Sequence, residues 1–328
     1  MPIPQRRRVL RAMAAIAATG AVPSWVPRAW AQAYPTHPVH YVVGYPPGGT
    51  SDLVARAITP GLSTELGQPF VVDNRPGGNG VVATELVQKS PPDGYTLLHT
   101  SVSFFTVTPQ LLKVTYDPFK DFDPVGMIGT NVNVLVVNPS LPVKTFPEFV
   151  AYAKANPGKL FYGTSGSGTG AHILIEYLKQ QTGINAVHVP YKGAAPALND
   201  LIGGRVQFEF DPAVTPMVQA GKLRALAISG AKSLDLLPGV PPIEQFLPNW
   251  NPPQFYNFVS APAGTPIAIR ERINAALVKT LAEPKVAKLL RDNNYEPGTA
   301  RPDELLARLK ADYALTGKVL RDNNIKLD

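Results

Sequence analysis

Two stretches of this chain carry the residue types that hold a small anion by backbone amides. The first is Tyr45-Pro46-Pro47-Gly48-Gly49-Thr50-Ser51-Asp52, set between the apolar run Tyr41-Val42-Val43 and an amphipathic run over 53–66. That order predicts strand, tight turn, helix. The prolines stiffen the approach, and the glycines allow positive φ and a close approach of backbone to whatever sits above it. Thr50, Ser51 and Asp52 are residue types that cap a helix start. The first amides of a helix have no partner inside it and carry partial positive charge, so a carboxylate fits there. A capped turn with no ligand would look the same. The second stretch repeats the design: Lys159-Leu160-Phe161-Tyr162 reads as a strand, Gly163-Thr164-Ser165-Gly166-Ser167-Gly168-Thr169-Gly170 as a glycine and hydroxyl loop, and 171–181 as a helix. If the two turns face each other, a ligand with two carboxylates meets an amide nest at each end.

The chemistry of catalysis is harder to find. A phosphate loop needs glycine-lysine-serine/threonine, and here glycine-lysine runs into Leu160, Leu223 or Val319. The hydrolase elbow fails at its last place in Gly163-Thr164-Ser165-Gly166-Ser167. Gly166-Ser167-Gly168-Thr169-Gly170-Ala171 satisfies a permissive dinucleotide pattern, but the next strand, Val187-His188-Val189, brings no carboxylate for a ribose. The five histidines, His37, His40, His99, His172 and His188, form no metal-ligand spacing. His172 lies one turn into the helix after the second loop, as a donor behind it or as a packing residue. There is no cysteine, so thiolate chemistry and disulfides are excluded. No enzyme activity, metal or cofactor is expected.

The chain has 328 residues, long enough for two domains with cores of their own. Its formal charge of +7 is misleading. Arg6, Arg7, Arg8, Arg11 and Arg28 lie in the first 33 residues, which hold no acid, and the remainder carries only +2. Such a chain has no field suited to nucleic acid. Arg6-Arg7-Arg8-Val9-Leu10-Arg11 is similar to a twin-arginine signature, with an ordinary secretory signal as the alternative. The alanine-rich run 12–22 is too short to span a bilayer, and Ala31-Gln32-Ala33 offers a small-x-small cleavage pattern. We expect residues 1–33 to be an export signal cut near Ala33, and the mature protein to be periplasmic.

Beyond it, strand and helix patterns alternate. Strands at 39–43, 70–72 and 95–99 are separated by helices at 51–66 and 81–89. Strands apolar on both faces and alternating with helices predict a parallel sheet covered on both sides, with ligands bound beyond the carboxyl ends of the strands. Thr100 and Ser101 then share a rim with Gly48. A second doubly wound pattern fills 132–253 and includes a strand at 206–210 that ends at Asp211. The run 254–260 returns to the first unit. Lobe 1 is therefore expected at 34–131 plus 254–328 and lobe 2 at 132–253, joined by two crossings that act as a hinge.

With these pieces placed, the chain resembles the Bug family, the extracytoplasmic solute receptors of tripartite tricarboxylate transporters. The resemblance runs from about Tyr34 to the C-terminus. It rests on Tyr45 to Asp52, Asp73-Asn74-Arg75-Pro76-Gly77-Gly78, Pro92-Asp93-Gly94-Tyr95-Thr96-Leu97-Leu98, Asn156-Pro157-Gly158-Lys159-Leu160, His188-Val189-Pro190-Tyr191-Lys192-Gly193, Gly221-Lys222-Leu223-Arg224-Ala225-Leu226-Ala227 and Ala261-Pro262-Ala263-Gly264-Thr265-Pro266. It implies an α/β type II periplasmic-binding-protein fold, a monomer, and reversible capture of a small di-, tri- or aromatic carboxylate for delivery to membrane subunits of such a transporter. Presentation of the same ligand to a sensor protein is the alternative. By position the ligand groups are Tyr45, Gly48, Gly49, Thr50 and Asp52 in one lobe, and Ser165, Gly166, Ser167, Gly168, Thr169 and His172 in the other. Thr100, Ser101 and Asp211 complete the set. The chain departs from the family at Ser165-Gly166-Ser167-Gly168, Phe104-Phe105 and Asp211-Pro212. The two phenylalanines are open to two readings, an apolar wall for a longer ligand or part of the core.

Overall fold

The computed structural model describes residues 34–230 and 234–326; the expected export signal, residues 1–33, lies outside them. The chain alternates as β1 (Val39–Val43), α1 (Thr50–Leu66), β2 (Phe70–Asn74), α2 (Val81–Gln88) and β3 (Thr96–Ser101). β1 lies between β2 and β3 and is parallel to both, so the turns after the strands gather along one edge. Val39, Tyr41 and Val43 are fully buried while His40 is exposed, because α1 and α2 cover the sheet unevenly. β4 (Phe122–Asn131) then leads into β5 (Val134–Val137), the first strand of a second sheet.

That second sheet repeats the design with α3 (Phe146–Ala155), β6 (Leu160–Thr164), α4 (Gly170–Thr182), β7 (Ala186–Pro190), α5 (Ala194–Ile202), β8 (Phe208–Asp211) and β9 (Arg224–Ile228). The chain returns through β10 (Tyr256–Pro262) and ends with α6 (Ile267–Ala282), α7 (Pro284–Asp292), β11 (Tyr295–Pro297) and α8 (Pro302–Asp322). The strand orders are β11-β4-β10-β3-β1-β2 and β7-β6-β8-β5-β9. This is a two-sheet α/β fold.

Neither sheet is wholly parallel, contrary to the expectation of a parallel sheet. β10 runs antiparallel between β3 and β4, and β5 runs antiparallel between β8 and β9. The cause is the path of the chain. β5 and β10 are the strands reached by crossing from the other sheet, so each enters from the far end. The two crossings run side by side, with the Asn131 amide donating to the Phe255 carbonyl at 2.8 Å. A further tie links the first crossing, through the start of β11, to the segment after β8. Asn294, at φ +60, accepts the Val132 amide on its carbonyl and donates its side-chain amide to Pro212 O and to Thr215 Oγ1.

After β3 the chain makes a helical turn, Ser103–Thr106, that buries both phenylalanines. Phe105 packs against Phe122 and Phe258, each at 5.1 Å, and is core. Phe104 lies flat under Tyr45 at 5.0 Å. Its ring fills the space over two glycines. A Cβ on Gly80 would stand 2.2 Å from the Phe104 ring, and one on Gly44 2.5 Å from it. Gly80 also has φ +88, where an L side chain is strained. Gly80→Ala should therefore lose about 2–4 kcal/mol of stability, strain and overpacking together. A urea denaturation midpoint unchanged from the parent would refute this packing.

Candidate functional site

The first turn is built from its own helix. α1 begins after Gly49, which has extended backbone and no side chain to cap with. Thr50, Ser51 and Asp52 are therefore the first three helical residues and not the cap, one or two places on from where their types suggest. The first carbonyl of the helix ladder is that of Gly49, bonded to Leu53 N at 2.9 Å. The amides of Thr50, Ser51 and Asp52 are left with no intrahelical acceptor and no side-chain cap.

Asp52 instead reaches backward. Its Oδ2 accepts the Gly48 amide at 2.9 Å, which holds Gly48 at φ +82. Arg56 Nε and Asn74 Nδ2 complete its shell at 3.0 and 2.9 Å. Arg56 then donates to Asn74 Oδ1, and Asn74 Nδ2 also reaches the Tyr45 carbonyl at 3.1 Å. The Arg56 hydrogen bond, with those from Gly48 and Asn74, holds the Asp52 carboxyl down at about 2. Asp52 is buried and spent on the turn; it positions the amides and does not face a ligand.

The second turn follows the same plan with different chemistry. α4 starts after Thr169, whose hydroxyl donates to the Gly166 carbonyl at 2.8 Å and so does not cap. Thr164 Oγ1 donates to the same carbonyl at 3.0 Å. The amides of Gly170, Ala171 and His172 precede the first ladder bond, Ile173 N to Thr169 O. His172, four residues after Gly168, accepts its amide on Nδ1 at 3.0 Å. That assigns its proton to Nε2. Burial lowers its pKa to about 4, so it accepts as a neutral ring. His188 stacks on it at 3.8 Å and bonds Thr164 Oγ1 at 2.7 Å.

The two helix starts meet the same short piece of chain. Asn257 of β10 donates to Ser51 Oγ at 3.2 Å, in the first turn of α1. Phe255 lies against Gly170, the first residue of α4, where a Cβ would stand 2.7 Å from the ring. Two residues of chain span at most about 7 Å. Both amide turns thus abut one short segment of the crossing. Asn257 also donates to His99 Nε2 at 3.2 Å, which leaves the His99 proton on Nδ1, toward the Tyr41 hydroxyl. Burial keeps His99 neutral, near 3.

The remaining expected residues divide. Ser101 is half-buried near the Tyr45 hydroxyl, and its Oγ accepts the Ser103 amide at 3.3 Å. Thr100 is fully buried and points away from that rim, its hydroxyl returned to the Ser101 carbonyl, because successive residues of a strand face opposite ways. Ser165, Gly166 and Ser167 are half-buried in the second loop. Asp211 is half-buried at the end of β8, and its charge reaches Tyr295. Sequence reasoning missed Tyr295, Asn257 and Phe255, whose roles depend on contacts far along the chain. It also missed Glu209, a buried carboxyl over Gly163 that burial and the charge of Asp211 push up to about 8.

Two helix starts without a side-chain cap, one from each sheet, abut the 255–257 segment. Residues 54–324 match the model of the tripartite tricarboxylate transporter family receptor. BugT of Bordetella pertussis is 34% identical over 90% of this chain and 92% of its own. Among solved structures, an R. palustris protein with adipate is 36% identical, with TM-score 0.79 over 90% of this chain and all of the other. MatC of Rhodopseudomonas palustris with bound malate is 28% identical, with TM-score 0.74 over 88% of this chain and all of the other. The chain belongs to the tripartite tricarboxylate transporter receptor family, the Bug receptors, whose members bind solutes and are not enzymes.

The two backward acceptors give distinct acid behaviour. Asp52 has a depressed pKa, so its contribution is whole above about 4 and is lost as pH falls toward 2. His172 is also depressed, from 6.5 to about 4, so its contribution is whole above 6.5 and is lost as pH falls toward 4. His99 shares that upper window and extends it toward 3. Urea midpoints measured against pH should therefore decline in both ranges. Asp52→Asn should flatten the lower one, and His172→Gln part of the upper one. Identical pH profiles for parent and variants would remove both assignments.

Proposed function

We propose that this protein is a periplasmic receptor that closes on a small carboxylate and delivers it to the membrane subunits of a tripartite tricarboxylate-type transporter. Residues 34–131 plus 254–328 form one lobe of the clamshell, 132–253 the other, and residues 1–33 the export signal. The observation that carries the reading is the pair of uncapped helix starts, Thr50-Ser51-Asp52 and Gly170-Ala171-His172, brought together by Phe255 and Asn257. The relatives solved with adipate and malate support a carboxylate as the anion.

The energetics suffice without an arginine in the site. A micromolar receptor needs about 8 kcal/mol of net binding. Charge-assisted hydrogen bonds contribute about 1.5–3 kcal/mol each, and association and ordering offset several of them. Amides from two helix starts, strengthened by exclusion of water on closure, meet that sum. Tyr45, Ser101, Ser165, Gly166, Ser167 and Thr169 surround them, while Gly48, Asp52, Gly168 and His172 hold the turns in shape.

Calorimetric titration of the purified protein with succinate, malate and adipate tests this directly. Thr50→Pro is the informative variant. Thr50 is the first helical residue, where proline is tolerated, and Gly49 already has the extended backbone that a following proline requires. The substitution deletes one amide donor and leaves the helix intact. We expect unchanged stability and affinity lower by about tenfold or more. Undiminished affinity would mean that the ligand does not sit on α1.

A further inference from the structure

The two turns offer only donors. Groups of another kind gather where the chain passes from the first sheet to the second. Tyr295 opens β11 and pairs with Asn131, the last residue of β4. Its ring is 5% exposed. Its register partner is Asn131, and its hydroxyl lies within electrostatic reach of the Tyr45 hydroxyl and the Asp211 carboxylate. Tyr45 in turn meets Ser101. A polar row thus runs Ser101, Tyr45, Tyr295, Asn131, Asp211, from the rim of one sheet to the end of β8 in the other.

The row is held in place. Asn294, next to Tyr295 in sequence, ties the start of β11 to Pro212 and Thr215, beside Asp211. One atom in it is unsatisfied: Asn131 Oδ1 is buried and has no hydrogen-bond partner among the described residues. A buried orphan acceptor is costly unless a donor reaches it. Tyr45 and Tyr295 are kept protonated by burial and add hydroxyls that either donate or accept. A second carboxylate here would set acceptor against acceptor and add negative charge beside Asp211.

We infer that Tyr295 and Asn131 read the end of the ligand remote from the amide turns, and that they select a hydrogen-bond donor there, a hydroxyl or an ammonium, over a methyl group or a second carboxylate. This rests on the receptor reading above and narrows its ligand to a hydroxy- or amino-carboxylate.

The test is a matched series titrated calorimetrically into the purified protein: butyrate, γ-hydroxybutyrate, γ-aminobutyrate and succinate, with a longer matched series ending in adipate. In one of the two series the hydroxyl and ammonium members should bind about tenfold tighter than the methyl and dicarboxylate members. Tyr295→Phe, which keeps the ring and its packing, should shrink that preference to about threefold or less while affinity for the methyl member holds. Asn131→Ala should do the same. Dicarboxylates binding tightest, or Tyr295→Phe weakening all members equally, would overturn the selection and leave the receptor standing. No binding by any member, or binding indifferent to Thr50→Pro, would bring down the receptor reading and this inference with it.

Discussion

An α-helix leaves its first amides without partners, and the architecture of both sheets follows from how two helices leave theirs open. The contrast is within the molecule. α3 closes itself: Thr145 accepts the Glu148 amide, and the Glu148 carboxylate takes the Lys144 amide. At α1 and α4 the side chains that could do the same are turned away. Asp52 and His172 each accept from a glycine four residues back, ahead of the helix. The turn is stiffened from within, and the first-turn amides stay available. An anion site also tolerates no uncompensated negative charge at its wall. Arg56 offsets Asp52, and His172 is neutral, so each acceptor does its work without opposing the ligand.

The second constraint is geometric. Amide nests on separate lobes are useful only if their separation is fixed when they close. Here both helix starts are referenced to one segment, β10 and the residue before it. Ser51 is tied to Asn257, and Gly170 lies against Phe255. That strand is also one of the two crossings, so any rotation of the lobes pivots where the turns are already near each other. Asp312 of α8 steadies the same segment, accepting the Tyr256 hydroxyl at 3.0 Å and the Gln254 amide at 3.5 Å. The crossing is thus a register mark for both helix starts, in the receptor we propose as in the fold itself.

Much of this was legible before any coordinates. Strand, glycine turn and helix are local, and their periods and punctuation place β1 with α1 and β6 with α4 within a residue or so. What stayed hidden is non-local. The residue types at 50–52 favour caps, but Gly49 precedes them, and a glycine with extended backbone starts the helix as well. Thr100 and Ser101 both looked like rim residues; strand alternation lets only one of them be. The parallel sheets were expected because helices alternate with strands, yet the direction of β5 and β10 is set by the crossings, which no window of sequence reports. β11 is three residues long and contains Pro297, too short for any pattern to announce.

Anchor and reader therefore obey different sequence rules. Backbone amides can be supplied by almost any residues, provided glycine gives the turn and an acceptor lies one helical turn on. The second loop meets both conditions, with its Gly168 amide presented to His172. Selectivity has no such freedom. It depends on side chains such as Tyr295 and Asn131, each fixed by long-range pairing, and a change of one atom there alters which far end is accepted. A receptor built as we propose would keep its grip on carboxylates while its preferred ligand shifts, because backbone amides would grip and the Tyr295 and Asn131 side chains would choose.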